Sequence, residues 1–408
     1  IINYKRIILL LIAVTVNVVF FLYDNKPVMD EDIINKENVA HETYIKNYHE
    51  EVNAIIDNAD KLKKYSIFNK AGSFSYANIL QTARDFERVK NVILPEDEYK
   101  GVQAYTTYYY QYFFTMLVMM FVIYDMFAQR DNGMWSITYS CANGRIMYAI
   151  KQTGVIVVTG AFTHTLIYWS TFIAAMLQRG GVRDLVNPVQ TIETFDKFTY
   201  PWSKIKYVTV LYLISMVCIV ALCITIWGVF VIFRNRVYAL VTMLIFAAVE
   251  QFIYSHIDIH SVWNGLHYIN IINIININAT FSSYRNWGVG TYVFPVFSVV
   301  LFVHIICAGV IGYIAINVSA SMKPYKNTTF IKRFTDCVSA GCQKILARIP
   351  FLFKEIHKFI FTSHCGWVVV VMLTVTAYVC QTGQYHYTDD NKYMDSEKII
   401  NGGKDYTY

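Results

Sequence analysis

The sequence predicts an all-α integral membrane protein. It has six spanning helices with a helical insert after the first, and a seventh span that begins a second half. Three observations predict this. Of 408 residues, 55% are hydrophobic and 16% charged, whereas soluble domains run at roughly 45–50% apolar and about 25% charged. Seven apolar runs approach or exceed the ~20 residues that carry a helix across the hydrocarbon core. Basic residues collect in every second connecting segment.

The runs are Ile7–Tyr23, Thr107–Phe127, Gly154–Met176, Val208–Phe233, Val237–Tyr254, Val293–Ile316 and Gly366–Cys380. The first starts with Lys5 and Arg6, as a signal peptide does, but no small-x-small cleavage site follows Phe21, so it reads as a retained anchor. With the N-terminus inside, the inner segments hold 15 Lys/Arg against 3 Asp/Glu, and the outer ones 20 against 24. An excess of Lys and Arg in short loops marks the cytoplasmic side. The net charge of +6 is then mostly an inner-face property, not a nucleic-acid signal. All eight cysteines fall in spans or on the inner side, so no disulfides are expected.

Residues 1–23 form the first span and 24–104 a helical ectodomain. In the latter, Tyr44, Tyr48, Val52, Ile55, Ile56, Ala59 and Leu62 recur at helical spacing, and so do Ile79, Ala83, Phe86 and Ile93 after a Gly72-Ser73 break. Two narrow stripes predict an antiparallel pair above the membrane, structural or gating rather than an independent binding domain. Residues 105–317 hold spans two to six, with an inner segment at 128–152 and an outer re-entrant region at 257–289. The run Tyr105-Thr-Thr-Tyr-Tyr-Tyr-Gln-Tyr reads as an interfacial aromatic belt. Ser261–Gly288 is broken by Asn270, Asn273, Asn276 and Asn278 and cannot span, so short re-entrant or interfacial helices are expected.

Residues 318–365 are read as a cytoplasmic linker with a basic amphipathic stretch lying in the headgroup plane. Residues 366–408 hold the seventh span and the start of a second outer segment. There DNKYMDSE (Asp390–Glu397) echoes DNKPVMDE (Asp24–Glu31) after the first span. This repeat, the missing initiating Met and the end soon after the seventh span predict part of a longer protein.

Chemistry-bearing motifs are few. No GxxxxGK[ST] phosphate loop occurs, so this chain is expected to bind no ATP. Glu250 near the outer end of the fifth span is a candidate pathway residue, because intramembrane carboxylates are costly. His164 and His304 within spans are also candidates, each read first as a hydrogen-bonded packing residue. His256-Ile-Asp258-Ile-His260 has metal-like spacing, but without a fourth ligand no metal is predicted. No nucleophile–base arrangement argues for catalysis, so no enzyme is expected.

The inner segment DNGMWSITYSCANGRIMYAIKQ (Asp131–Gln152) carries Gly133, Met134 and Trp135, a polar middle, then Gly144, Arg145 and Lys151. It resembles the coupling segment of type-2 ABC exporter permeases, Gram-positive type. The stretch Lys354-Glu355-Ile-His-Lys358 is similar to the elbow before a permease half. SIFNKAGSFSYANILQTARDF (Ser66–Phe86) and the Asn/Ile-rich outer region are similar to outer parts of the same family. One departure is Asp131, where a Glu is commoner. The resemblance implies a six-span permease half in a bacterial plasma membrane, driven by a separate ATPase subunit that carries ATP and magnesium. A second half or a homodimer partner would complete the pathway for a peptide, toxin or lipid-like substrate. The site residues carried over are Asp131, Gly133, Met134, Trp135, Gly144, Arg145 and Lys151 for coupling, and Lys354, Glu355 and Lys358 for the elbow. The alternative is a seven-span sensor with an extracellular helical domain.

The predicted orientation has a direct check. An impermeant thiol reagent on intact cells should label a cysteine placed at Asn58, and should reach one at Asn132 only after the cells are opened. The reverse pattern would invert the topology.

Overall fold

The computed structural model describes residues 4–26, 31–65, 72–95, 100–131, 140, 144–233, 235–257, 263–289 and 291–321. The predicted linker beyond Ser321, the elbow residues Lys354, Glu355 and Lys358, and the seventh span lie outside these described residues.

Six helices are long and apolar enough to cross a membrane. They are α1 (Tyr4–Asp24), α5 (Tyr110–Asp131), α6 (Gly144–Arg179), α7 (Lys204–Ile232), α8 (Arg236–His256) and α12 (Val296–Ser321). They alternate in direction, so one end of the bundle gathers the N-terminus and the connections α5–α6 and α7–α8. The other end, the insert face, gathers α2 (Glu31–Leu62), α3 (Phe74–Glu87) and α4 (Gly101–Thr107). It also holds three 3-10 turns between Arg183 and Phe195, the short helices α9 (Asn264–Ile269), α10 (Ile272–Ile275) and α11 (Ile277–Ser282), and strands β1 (Asn286–Val289) and β2 (Tyr292–Pro295).

Helix limits follow local chemistry. Gly180 and Gly181, at φ of +70° and +101°, stop α6 as C-terminal glycines do. Ser203 and Asn235 accept backbone N–H groups from Lys206 and Val237, capping α7 and α8. The tyrosine run divides: Tyr105 lies within α4, which ends at Thr107, Tyr108 is extended with ψ of 97°, and α5 starts only at Tyr110. The sixth span starts at Val296, later than its apolar run, because Tyr292–Pro295 pairs with Asn286–Val289 as an antiparallel hairpin in the register Asn286↔Pro295 and Val289↔Tyr292. That hairpin is a departure from the all-α expectation, in a chain that is otherwise mostly helical.

The core centres on α7. In its most apolar stretch 61% of residues are buried, against 17% for α1 and for α8 at the rim. Close approach to α12 depends on Gly228: a Cβ there would lie 2.4 Å from Cγ2 of Ile311. Small residues permit such packing where burial of apolar surface from lipid adds no drive.

Gly228→Ala should therefore lower the melting temperature in detergent, overpacking costing about 1–3 kcal/mol. In a double-mutant cycle with Ile311→Ala, the losses should fall short of additive by about 1 kcal/mol. Strict additivity would show that α7 and α12 have room to separate.

Candidate functional site

Helix α6 has 36 residues, about 54 Å at 1.5 Å per residue, well beyond the ~30 Å of the hydrocarbon core. It therefore joins the two faces as one unbroken rod. Gly144 is its first residue, and the exposed Arg145 and Lys151 sit on its first turns. Asp131 closes α5. Gly133, Met134 and Trp135 lie outside the described residues. Nearby, Arg130 donates to the carbonyls of Phe230 and Phe233 at 2.9 and 3.3 Å, satisfying orphan acceptors at the C-terminus of α7.

Midway along α6, His164 is 1% exposed. Its Nε2 lies 2.8 Å from Ser215 Oγ. Ser215 Oγ also lies 3.0 Å from the carbonyl of Tyr212, so its one hydroxyl proton serves either that carbonyl or the imidazole. Nδ1 has no hydrogen-bond partner among the described residues. The imidazole stacks between the rings of Tyr112 and Tyr212, each 5.9 Å away, with Tyr168 at 5.4 Å. Tyr168 donates to the carbonyl of Val208, and Tyr212 meets Thr165 at 2.8 Å. The imidazole is thus buried and hydrogen-bonded within a polar aromatic layer between α5, α6 and α7.

Glu250 and His304 have partners of their own. Glu250 Oε2 accepts the backbone N–H of Ile271 at 3.0 Å, at the start of α10. Asn270 donates to the Glu250 carbonyl at 2.6 Å and accepts from Ile272 N–H at 2.8 Å. The carboxylate therefore caps a helix. His304 donates from Nδ1 to the Val300 carbonyl and lies within electrostatic reach of Glu250. Glu250 and His304 thus each have a backbone partner of their own and share only an electrostatic neighbourhood, while His164 bonds to Ser215. Of the metal-like trio, Asp258 and His260 lie outside the described residues, and His256 Nδ1 contacts the Phe252 carbonyl within its own helix.

The Asn/Ile pattern of the outer region now has a physical reason. Ile274 and Ile277 are buried, while the asparagines serve the breaks between the short helices. Asn273 donates to the carbonyls of His267 and Tyr268, and Asn278 accepts from Tyr207 of α7. Backbone groups at such depth need a partner because water is scarce.

Sequence reading missed how the insert is held. Helices α2 and α3 do pack as a pair, burying Tyr44, Tyr48, Val52, Phe86 and Val89. They also dock on loops of their own half. The carboxylate of Asp85, 7% exposed, receives Gln81, Arg88 and Tyr284 at 3.0, 3.1 and 3.0 Å. Asn286 donates to Asn78 at 2.9 Å. Phe74 lies against Gly288, where a Cβ would meet the ring at 2.3 Å. Tyr44 donates to the carbonyl of Gln190 at 2.8 Å. These partners are up to about 200 residues apart in sequence (Asn286 and Asn78 by 208), so no local pattern could show them.

Alternating apolar helices joined by polar segments define a multi-pass helical membrane protein. No family model matches the chain, and neither does any curated protein or solved structure.

Burial pushes the Tyr284 phenol up to about 12, and those of Tyr44 and Tyr48 higher still. A phenol raised in this way supports docking fully below its ordinary value near 10 and loses that support as the pH climbs through its folded value. The insert should therefore loosen between pH 10 and about 12. Spin labels at Arg84 and Tyr292, in a chain stripped of native cysteines, should report a widening distance over that window. Tyr284→Phe should weaken docking at neutral pH and flatten the alkaline response. An unchanged distance to pH 12 would show that the latch does not hold the insert.

Proposed function

We propose that the chain is the transmembrane permease subunit of an ATP-driven exporter of the type-2 ABC class. It would move a peptide, toxin or lipid-like substrate outward while a separate ATPase subunit hydrolyses ATP. The observation that carries this reading is the continuity of α6. Its overhanging end bears Gly144, Arg145 and Lys151, its middle bears the His164 layer, and its far end reaches the insert face. A push on the overhang would therefore reach both the bundle centre and the opposite face through one rigid element. The six-span order with an insert after the first span also supports the reading.

In this scheme the basic face is cytoplasmic, and Met134 and Trp135 fill an apolar groove on the ATPase with Arg145 at its polar rim. The insert, latched to its own half, shields or gates the outer exit. Glu250, Asn270 and His304 then belong to the outer end of the pathway, where α10 meets α8 and α12.

Losing a buried apolar anchor at an interface centre typically costs ~2 kcal/mol, roughly thirtyfold in affinity, and rim charges cost less. Trp135→Ala should thus release the ATPase, or uncouple export from hydrolysis, more severely than Arg145→Ala. Both variants should insert normally, since Trp135 precedes α6 and Arg145 lies in its overhanging first turn. Co-purification of the ATPase and substrate-stimulated hydrolysis are the measurements. Wild-type behaviour of both variants would remove the coupling role from this stretch.

A further inference from the structure

At the N-terminal face, a half-open cleft of about 280 Å³ lies between α1, α5 and α8. Two arginines 230 positions apart in the sequence, Arg6 and Arg236, line it with one carboxylate, Asp125. Arg6 directs Nε and one Nη at the same oxygen of Asp125, at 3.1 and 2.7 Å. That contact takes two of the five N–H donors a guanidinium carries. The Arg236 guanidinium stacks over the Tyr124 ring, 4.7 Å from its centroid. Stacking fixes the position of the charge through the flat face of the group. Below the charges the wall is apolar, formed by Leu9, Phe121 and Val122.

Depth and charge point to one kind of occupant. Arg6 lies on the first turn of α1, Arg236 opens α8, and Asp125 lies in the last two turns of α5, so the cleft sits where the spans end and headgroups begin. Arg6, Arg236 and Asp125 sum to a formal charge of +1. Its lining changes from cationic to apolar along the span direction, as a lipid changes from phosphate to acyl chain. The neighbouring Arg130 is turned away onto the carbonyls of α7, so the two cleft arginines are not simply a share of a diffuse basic rim.

We propose that this cleft binds the phosphate of a singly anionic phospholipid, of the phosphatidylglycerol type, with Arg6 and Arg236 as its ligands and an acyl chain along Leu9 and Phe121. Asp125 holds Arg6 in place and at the same time repels the phosphate, so it tunes affinity downward. Nothing in this requires the exporter reading; a sensor with the same cleft would bind the same lipid.

The full chain, purified in detergent and titrated with phosphatidylglycerol or phosphatidylcholine, supplies the test, with bound lipid counted by native mass spectrometry. Phosphatidylglycerol should be retained at least fivefold better, from a contribution of about 1 kcal/mol per arginine near a lipid surface. Arg236→Gln should remove about fivefold of that preference. Asp125→Asn should strengthen phosphatidylglycerol binding, the opposite of what loss of a merely structural ion pair would do. Lys151→Gln, which removes an exposed cation of the same face outside the cleft, should leave the preference intact. Equal retention of the two lipids, a weaker Asp125→Asn, or a Lys151→Gln loss equal to that of Arg236→Gln would each overturn the proposal. Displacement of the lipid by millimolar inorganic phosphate would assign the cleft to a soluble anion instead and overturn the choice of occupant.

Discussion

Asn17 lies fully buried in α1, a helix whose most apolar stretch is otherwise largely exposed. Its amide donates to Thr171 Oγ1 of α6 at 2.7 Å, and its oxygen accepts from the Tyr108 hydroxyl at the α4–α5 junction at 3.0 Å. A primary amide left unpaired among apolar groups costs several kcal/mol against water, so these three elements are held to one relative position. Around it, Phe21 packs edge-on against Tyr108 at 5.1 Å. Arg179 of α6 donates to the carbonyls of Asn25 and Lys26 just beyond α1. The same requirement, that buried polar groups find partners inside the protein, accounts for most of the tertiary contacts described above.

Arginine recurs as the device that meets it. Arg179 closes the end of α1 on one face, and Arg130 closes the end of α7 on the other. Both act on carbonyls at helix C-termini, where the negative end of the helix dipole and the unpaired acceptors coincide. One consequence is that α6 and α5 are each tied to a neighbour at the level of the membrane surface, while the centre of the bundle relies on side-chain packing and on the His164 layer. Motion of α6 along its axis would disturb Arg179 and His164 together, which gives the proposed lever two points of purchase.

The insert face shows the same logic applied to a soluble element. The core shared by α2 and α3 is small and would be marginal if left alone. Docking through Asp85, Tyr284, Asn286 and Gln190 extends it onto loops that the spans themselves position. Polar bonds at Asp85, Asn286 and Gln190 and ring packing of Phe86 on Tyr284 and of Phe74 on Gly288 fasten the insert to these loops.

The spans and the helical pair were legible because their signals are local: apolar length for the membrane, and a 3.6-residue stripe for α2 and α3. The Asn-broken stretch after α8 was legible as something that cannot span, for the same reason. Glu250 was visible as a costly residue, but its partners, Ile271 N–H and the neighbourhood of His304, lie 21 and 54 positions away. The hairpin at 286–295 was not legible: Tyr292–Pro295 reads as a continuation of the sixth apolar run, and only its pairing with Asn286–Val289 makes it a strand. Likewise Arg6 and Arg236 read from sequence as markers of sidedness, and the fold alone places them around one carboxylate. Periodicity and composition are set by neighbours along the chain, and so the amino-acid sequence determined the membrane class and the main helices by itself. Hydrogen bonds, stacking and charge pairing act over a few ångströms between residues tens to hundreds of positions apart, and these only the tertiary structure decided.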